Sequence, residues 1–157
     1  SRSAADCLRT GDMRRLGLLM RISHDGERCF QTLPDGTVTA FEVDVSDAAL
    51  FRLVQDLASE DPDRTARAQL PWQPGAYRCS TREIDTLVDL ALRVDGVEGA
   101  QIAGAGLGGC AMILVRNDAV AELEQRLVRE YYDPRGLPSG AIQCTPSAGS
   151  GLVSVRT

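Results

Sequence analysis

Four glycines crowd into six positions at Gly104, Gly106, Gly108 and Gly109, and the apolar run Ala111-Met112-Ile113-Leu114-Val115 follows almost at once. Glycine loses more backbone freedom on folding than any other residue, so such a cluster is costly unless left-handed dihedrals or an open backbone are needed. Gly104-x-Gly106-x-x-Gly109 has the spacing of a dinucleotide-binding loop, which requires a strand before it and a helix immediately after. Here the following residues include a β-branched pair, Ile113 and Val115, and read as a buried strand. No amphipathic helical pattern begins before about Asp118. That context excludes the dinucleotide loop. The spacing predicts instead a strand, a glycine loop and a second strand folded as a hairpin. Its turn can expose successive backbone N–H groups as an anion-binding nest. A plain hairpin turn is the alternative, but one or two glycines suffice for that. The surplus tilts the balance towards a site.

Composition narrows the partners. With 17 Lys and Arg against 22 Asp and Glu, the net charge is −5. The basic residues are scattered and all arginine, so no basic face is built for nucleic acid or a membrane surface. No apolar run approaches the roughly 20 residues that span a bilayer. The 157 residues suit one domain with a core of its own. Five cysteines, Cys7, Cys29, Cys79, Cys110 and Cys144, are odd in number and contain no C-x-x-C pair. They suggest neither a disulfide framework nor a metal site, and point to free thiols in a reducing cytoplasm. His24 is the sole histidine, and nothing pairs it with a nucleophilic cysteine. The sequence opens in helical pattern at Ser1 without an initiator methionine, which suggests part of a longer protein.

Along the chain, Ser3 to Thr10 is helical, Gly11-Asp12 breaks or caps it, and Met13, Leu16, Leu19 and Met20 continue an apolar stripe of core type. Ser23-His24-Asp25-Gly26 is expected to end that helix, with Gly26 as a left-handed cap. Residues 29–75 have a different character, an excursion too short for much core of its own. Pro34-Asp35-Gly36 marks a turn, Val38 to Val45 alternates as a strand, and Ser46 caps a helix carrying Leu50, Leu53, Val54 and Leu57. Asp61-Pro62-Asp63 closes that helix, and residues 71–75 are irregular. Ser80-Thr81-Arg82-Glu83 has the form of a capping box opening a helix with Ile84, Leu87, Val88 and Ala91. Asp118 is expected to cap a last helix with Val120, Leu123, Leu127 and Tyr131 on its buried stripe. Ala141 to Cys144 and Leu152 to Val155 are candidate strands around a Gly149-Ser150-Gly151 turn. Helices segregated from a small antiparallel sheet predict an α+β fold, ferredoxin-like in arrangement.

The stretch Gly99-Ala100-Gln101-Ile102-Ala103-Gly104-Ala105-Gly106-Leu107-Gly108-Gly109-Cys110 resembles the third motif of the GHMP small-molecule kinases, especially their galactokinase branch. Arg9-Thr10-Gly11-Asp12 with Leu16-Gly17-Leu18-Leu19-Met20 and Ser23-His24 resembles another of that family's helices. The blocks from Cys79 to Val88, Tyr131-Tyr132, and Ala148 to Leu152 are similar as well. The resemblance spans roughly residues 2–28 and 75–155 and implies the C-terminal domain of a sugar kinase. Such an enzyme uses ATP and Mg²⁺ to phosphorylate galactose or a related sugar at C1. It implies that Gly104, Ala105, Gly106, Leu107, Gly108 and Gly109 support the phosphate and substrate cleft, with Gly106, Gly108 and Gly109 giving the closest backbone approach. Ser80 is a further substrate-side candidate, with a plain capping role as its alternative. The family's Pro-x-x-x-Gly-Leu-x-Ser-Ser phosphate loop and its acidic catalytic residue do not occur in these 157 residues. The expectation is therefore a C-terminal half that depends on an N-terminal kinase domain, inactive alone, and with no catalytic or metal-binding residue of its own. The alternative is a non-catalytic ferredoxin-like module that binds a small ligand without ATP. Relatives acting on isoprenoid or amino-alcohol substrates form a third possibility. The sugar and the oligomeric state stay open.

Overall fold

Helix α2 (Met13–Glu27) and strand β3 (Val97–Ile102) touch backbone to backbone, and the rest of the fold is assembled on that contact. In the computed structural model, which describes residues 2–104 and 106–145, a Cβ placed on Gly17 would lie 2.1 Å from the Glu98 carbonyl oxygen. A Cβ on Gly99 would lie 2.5 Å from the Gly17 Cα. No side chain fits between two backbones at that separation, so both positions require glycine. β3 pairs antiparallel with β4 (Ala111–Val115), Ile102 opposite Ala111 and Val97 opposite Val115, with an irregularity between Val97 and Gly99. The expected hairpin around the glycine loop is present. Ala103 N–H bonds the Cys110 carbonyl at 2.9 Å, which makes Ile102–Ala111 a non-hydrogen-bonded pair and turns the Ile102 N–H away from β4. That N–H donates to His24 Nδ1 on α2 at 3.2 Å, so the helix covers the strand edge that β4 leaves free.

The core lies between this hairpin and two helices, α5 (Arg82–Ala91) and α6 (Val120–Leu127). Ile84, Val88 and Ala91 of α5 meet Val97, Ala100 and Ile102 of β3, and Leu123, Leu127 and Tyr131 close the cluster. Helical apolar spacing at 84, 88 and 91 and at 123, 127 and 131 puts each set on one face. The buried stripe of the last helix starts at Ala119 rather than at Val120. A π-helical turn over Val128–Tyr132 carries Tyr131 into the core, and the 3₁₀ turn Asp133–Arg135 ends at left-handed Gly136.

A second two-stranded ladder, β1 (Phe30–Thr32) with β2 (Val38–Ala40), closes through the expected Pro34-Asp35-Gly36 turn. It is held to α5 by side chains four residues apart. Asp85 Oδ2 accepts from the Cys29 and Phe30 N–H groups at 3.0 and 2.8 Å, and Asp89 Oδ2 accepts from Thr32 N–H at 2.6 Å. Arg93 donates to the carbonyls of Thr32 and Leu33. One helix face thus satisfies the backbone of β1 in place of another strand. The fold is α+β, and among the described residues its sheet content is these two separate antiparallel ladders. Helix α1 (Arg2–Thr10) precedes α2, while α3 (Asp47–Leu57) and α4 (Pro62–Ala68) follow β2 and pack on each other. Among the described residues no helix is long and apolar enough to cross a membrane.

Several local expectations are corrected. The side-chain cap of α5 is Thr81, which accepts from Ile84 N–H, and Ser80 is drawn inward instead. α2 continues through Gly26 to Glu27; Gly26 is buried because a Cβ there would meet the Gly75 backbone nitrogen at 2.6 Å, and it serves as no left-handed cap. Asp61 opens α4 as its N-cap besides following α3. Asp118 lies in the 3₁₀ turn Asn117–Ala119 and pairs with Arg116 at 3.1 Å, leaving α6 without a side-chain cap. Only residues 38–40 of the expected 38–45 strand form a ladder, and residues 141–144 are exposed and irregular. Ala105, the 149–151 turn and the expected strand at 152–155 lie outside the described residues.

Candidate functional site

The loop between β3 and β4 contains five left-handed residues: Gly104, Gly106, Leu107, Gly108 and Gly109, with φ of 77°, 89°, 62°, 108° and 98°. Every glycine of the cluster therefore has a conformational reason to be there. Their surroundings divide them. A Cβ on Gly104, Gly108 or Gly109 would meet nothing within 4 Å, whereas one on Gly106 would collide with Cys79 Sγ at 2.3 Å. Gly106 makes its close approach to the protein itself. Gly108 and Gly109 face open space, and neither donates its N–H to a protein acceptor among the described residues. Leu107 is 87% exposed. An open pair of glycine N–H groups with an exposed apolar neighbour suits an anionic group that brings an apolar or ring portion.

The loop is anchored from below. Leu107 N–H donates to the Cys79 carbonyl at 2.7 Å, and Cys79 Sγ–H donates to Glu27 Oε2 at 2.8 Å. Ser80 N–H bonds the Glu27 carbonyl at 2.8 Å, and the N–H groups of Tyr77 and Arg78 reach the Gly26 carbonyl. Segment 77–80 is thus bolted to the last turn of α2 and carries the glycine loop in turn. Arg78 takes a left-handed φ of 58°, an unusual conformation for a residue with a side chain. The hydrogen bond to Glu27, with burial and the Glu27 charge, pushes the Cys79 thiol up to about 11. Cys79 is held protonated and acts as a hydrogen-bond donor rather than a nucleophile.

Ser80 is buried, its hydroxyl beside Asp85, one residue from the loop's anchor Cys79. Sequence reading gave no role to His24 and Asp85, yet both are fully buried and join α2, β3, β1 and α5 behind the loop. An inward-facing aspartate on the apolar face of α5 was the available signal. No cysteine pairs with His24, whose contacts are the Ile102 N–H and Asp85. Among the described residues no three His, Cys, Asp or Glu side chains converge as a metal-holding group.

The family model described as GHMP kinases C terminal matches residues 48–133, which include the glycine loop, both strands of its hairpin, and helices α5 and α6. The chain belongs to this family. The GHMP kinase match begins at Ala48, within the 29–75 block that reads from sequence as an excursion. The galactokinase of Levilactobacillus brevis is 45% identical over 63 residues, covering 40% of this chain and 16% of that protein. The galactokinase of Staphylococcus carnosus is 42% identical over 60 residues, or 38% of this chain and 16% of its own length. That of Chloroflexus aurantiacus is 40% identical over 77 residues, or 49% of this chain and 20% of the relative. The aligned stretches thus span a fifth or less of these curated relatives. The glycine hairpin described above is therefore a feature of a galactokinase-like GHMP C-terminal domain.

Proposed function

We propose that this GHMP domain is the C-terminal part of an ATP-dependent sugar kinase that phosphorylates galactose, or a sugar of the same shape, at its C1 hydroxyl. The observation that carries this reading is the open, left-handed Gly108-Gly109 pair, whose N–H groups have no acceptor among the described residues, in a domain similar to that of named galactokinases. Phosphoryl transfer depends mainly on positioning and on stabilising charge spread over phosphate oxygens. ATP supplies the transferred phosphoryl group. Gly104, Gly106, Gly108 and Gly109 fit a supporting role, because only open or tightly seated backbone lets N–H groups approach an oxyanion. Leu107 offers apolar contact at the loop's tip, Ala105 belongs to the same loop by sequence, and Ser80 contributes by fixing segment 77–80 rather than by touching sugar. Mg²⁺ would accompany ATP, and no residue of this domain is assigned to it.

In this reading the sugar and the phosphate loop meet the glycine hairpin across a cleft whose other wall is an N-terminal kinase domain, in a cytoplasmic enzyme. The 157 residues alone are expected to turn over no substrate. Coupled ADP assays with galactose and neighbouring hexoses test both statements. Sugar-dependent ADP from the whole protein, and none from residues 1–157, is the expected result. No ADP from the whole protein with any hexose overturns the kinase reading, and turnover by the 157 residues overturns their dependence on a second domain.

A further inference from the structure

A cavity of about 360 Å³ opens between α2, α3, α4 and the 3₁₀ turn Leu70–Trp72, and it shares no residue with the glycine loop. Leu18 and Ile22 from α2 and Leu53 from α3 form its apolar wall, with Trp72 beside them. Arg67 of α4 stands at its rim. The other arginines nearby are engaged: Arg64 is paired with Asp56, Arg52 with Asp44, and Arg15 lies over the Trp72 ring at 5.2 Å. The Arg67 guanidinium has no carboxylate or carbonyl partner among the described residues. Asp56 also lines the cavity, and its Oδ1 accepts from two guanidinium nitrogens of Arg64, whose charge offsets that of the carboxylate. The Trp72 indole N–H likewise has no acceptor within the described protein.

A small cavity with apolar walls, one unpaired cation and one free N–H donor has the make-up of a site for a compact organic anion. We propose that this cavity binds a monocarboxylate carrying a ring-sized apolar body. The body rests on Leu18, Ile22 and Leu53, and the carboxylate is received by Arg67 with help from the Trp72 N–H. Arg67 supplies the charge-assisted bond that distinguishes the acid from its uncharged analogues. The size of the cavity limits the body to about one ring, at the lower end of the volumes that hold small ligands.

Trp72 is the sole tryptophan of the chain, so its emission reports on the cavity directly. The 157-residue chain is titrated with 3-phenylpropionate, and in parallel with the uncharged 3-phenylpropan-1-ol, while Trp72 fluorescence and the heat of binding are followed. A saturable change with the acid is expected, with affinity about tenfold weaker for the alcohol and for Arg67→Leu. Arg67 is exposed and unpaired, so that substitution leaves folding intact. Arg52→Leu removes an exposed arginine that pairs with Asp44 and does not line the cavity, and it is expected to leave the acid's affinity unchanged. Absence of saturable binding, or equal binding by Arg67→Leu, overturns the proposal. Neither result bears on sugar-dependent ADP production, so this site and the kinase reading fail separately.

Discussion

Nε2 of His24 stands 3.3 Å from Oδ1 of Asp85, and neither side chain reaches solvent. Because Nδ1 accepts the Ile102 N–H, the ring proton sits on Nε2, the nitrogen nearer the carboxylate. The second oxygen of Asp85 receives the Cys29 and Phe30 N–H groups, so this pair fastens the glycine hairpin, α2 and the β1–β2 ladder to α5. Asp85→Ala strands two backbone donors in the interior and removes the carboxylate beside the buried imidazole. A loss of about 3 kcal/mol is expected, read as a lower urea midpoint at unchanged slope.

The same pair sets an acid limit. Burial alone would raise the Asp85 carboxyl, but the His24 imidazole and Ser80 hydroxyl beside it, with hydrogen bonds from the Phe30 and Cys29 N–H groups, outweigh it and hold the carboxyl below its ordinary value. A group depressed on folding stabilises fully above its unfolded value, about 4. That contribution fades as pH falls through the lower folded value. Urea midpoints measured from pH 6 down to pH 3 should therefore fall, and Asp85→Asn should show a shallower fall than the parent. Parallel curves for the two proteins would rule out Asp85 as the titrating group.

Gly17 tests the contact of α2 with β3. Alanine there would place its methyl 2.1 Å from the Glu98 carbonyl oxygen, and backbone cannot yield as a flexible side chain would. Gly17→Ala is expected to cost more than about 2 kcal/mol, as overpacking at a rigid site does. Thermal unfolding measures it, and a shift within error of the parent would contradict the close approach.

Within the loop, two substitutions of the same chemistry should behave differently. Gly106→Ala meets Cys79 as well as an unfavourable φ, so it should lower thermal stability and loosen segment 77–80, seen as faster amide exchange at Ser80. Gly108→Ala meets only the unfavourable φ, a cost of about 1 kcal/mol, because its surroundings are open. If Gly108 receives an anion, that variant raises the KM for ATP in the whole enzyme while its melting temperature changes little.

Thiol labelling separates the five cysteines. Cys110 and Cys144 are exposed and should react with iodoacetamide within the first phase, while Cys7 is buried. Cys79, held protonated up to about pH 11 by Glu27, should label slowly at pH 8 despite its partial exposure. Glu27→Gln removes the acceptor charge and should speed that reaction several-fold, as measured by mass spectrometry of the labelled peptides.

Local chemistry fixed much of this protein in advance. The glycine cluster predicts a hairpin because left-handed residues between two apolar runs allow little else, and Ser46, the Pro34-Asp35-Gly36 turn and the α5 stripe follow from capping, turn and periodicity rules that act within a few residues. The motif around Gly104 also carries enough identity to reveal the family. Tertiary structure decided what those rules cannot reach. Ser80 and Thr81 are equally able to cap, and burial of Ser80 beside Asp85 chose Thr81. Local rules make Gly26 a helix cap and give Gly17 no packing role, until Glu98 and Gly75, distant in sequence, arrive within contact. The division of the loop glycines into one seated on Cys79 and others left open depends on how segment 77–80 docks on α2, a long-range packing event. Asp85, Asp89 and Arg93 receive no role from local rules, yet they bond β1, because a strand lacking a neighbour must satisfy its N–H and C=O groups with whatever the fold brings beside it.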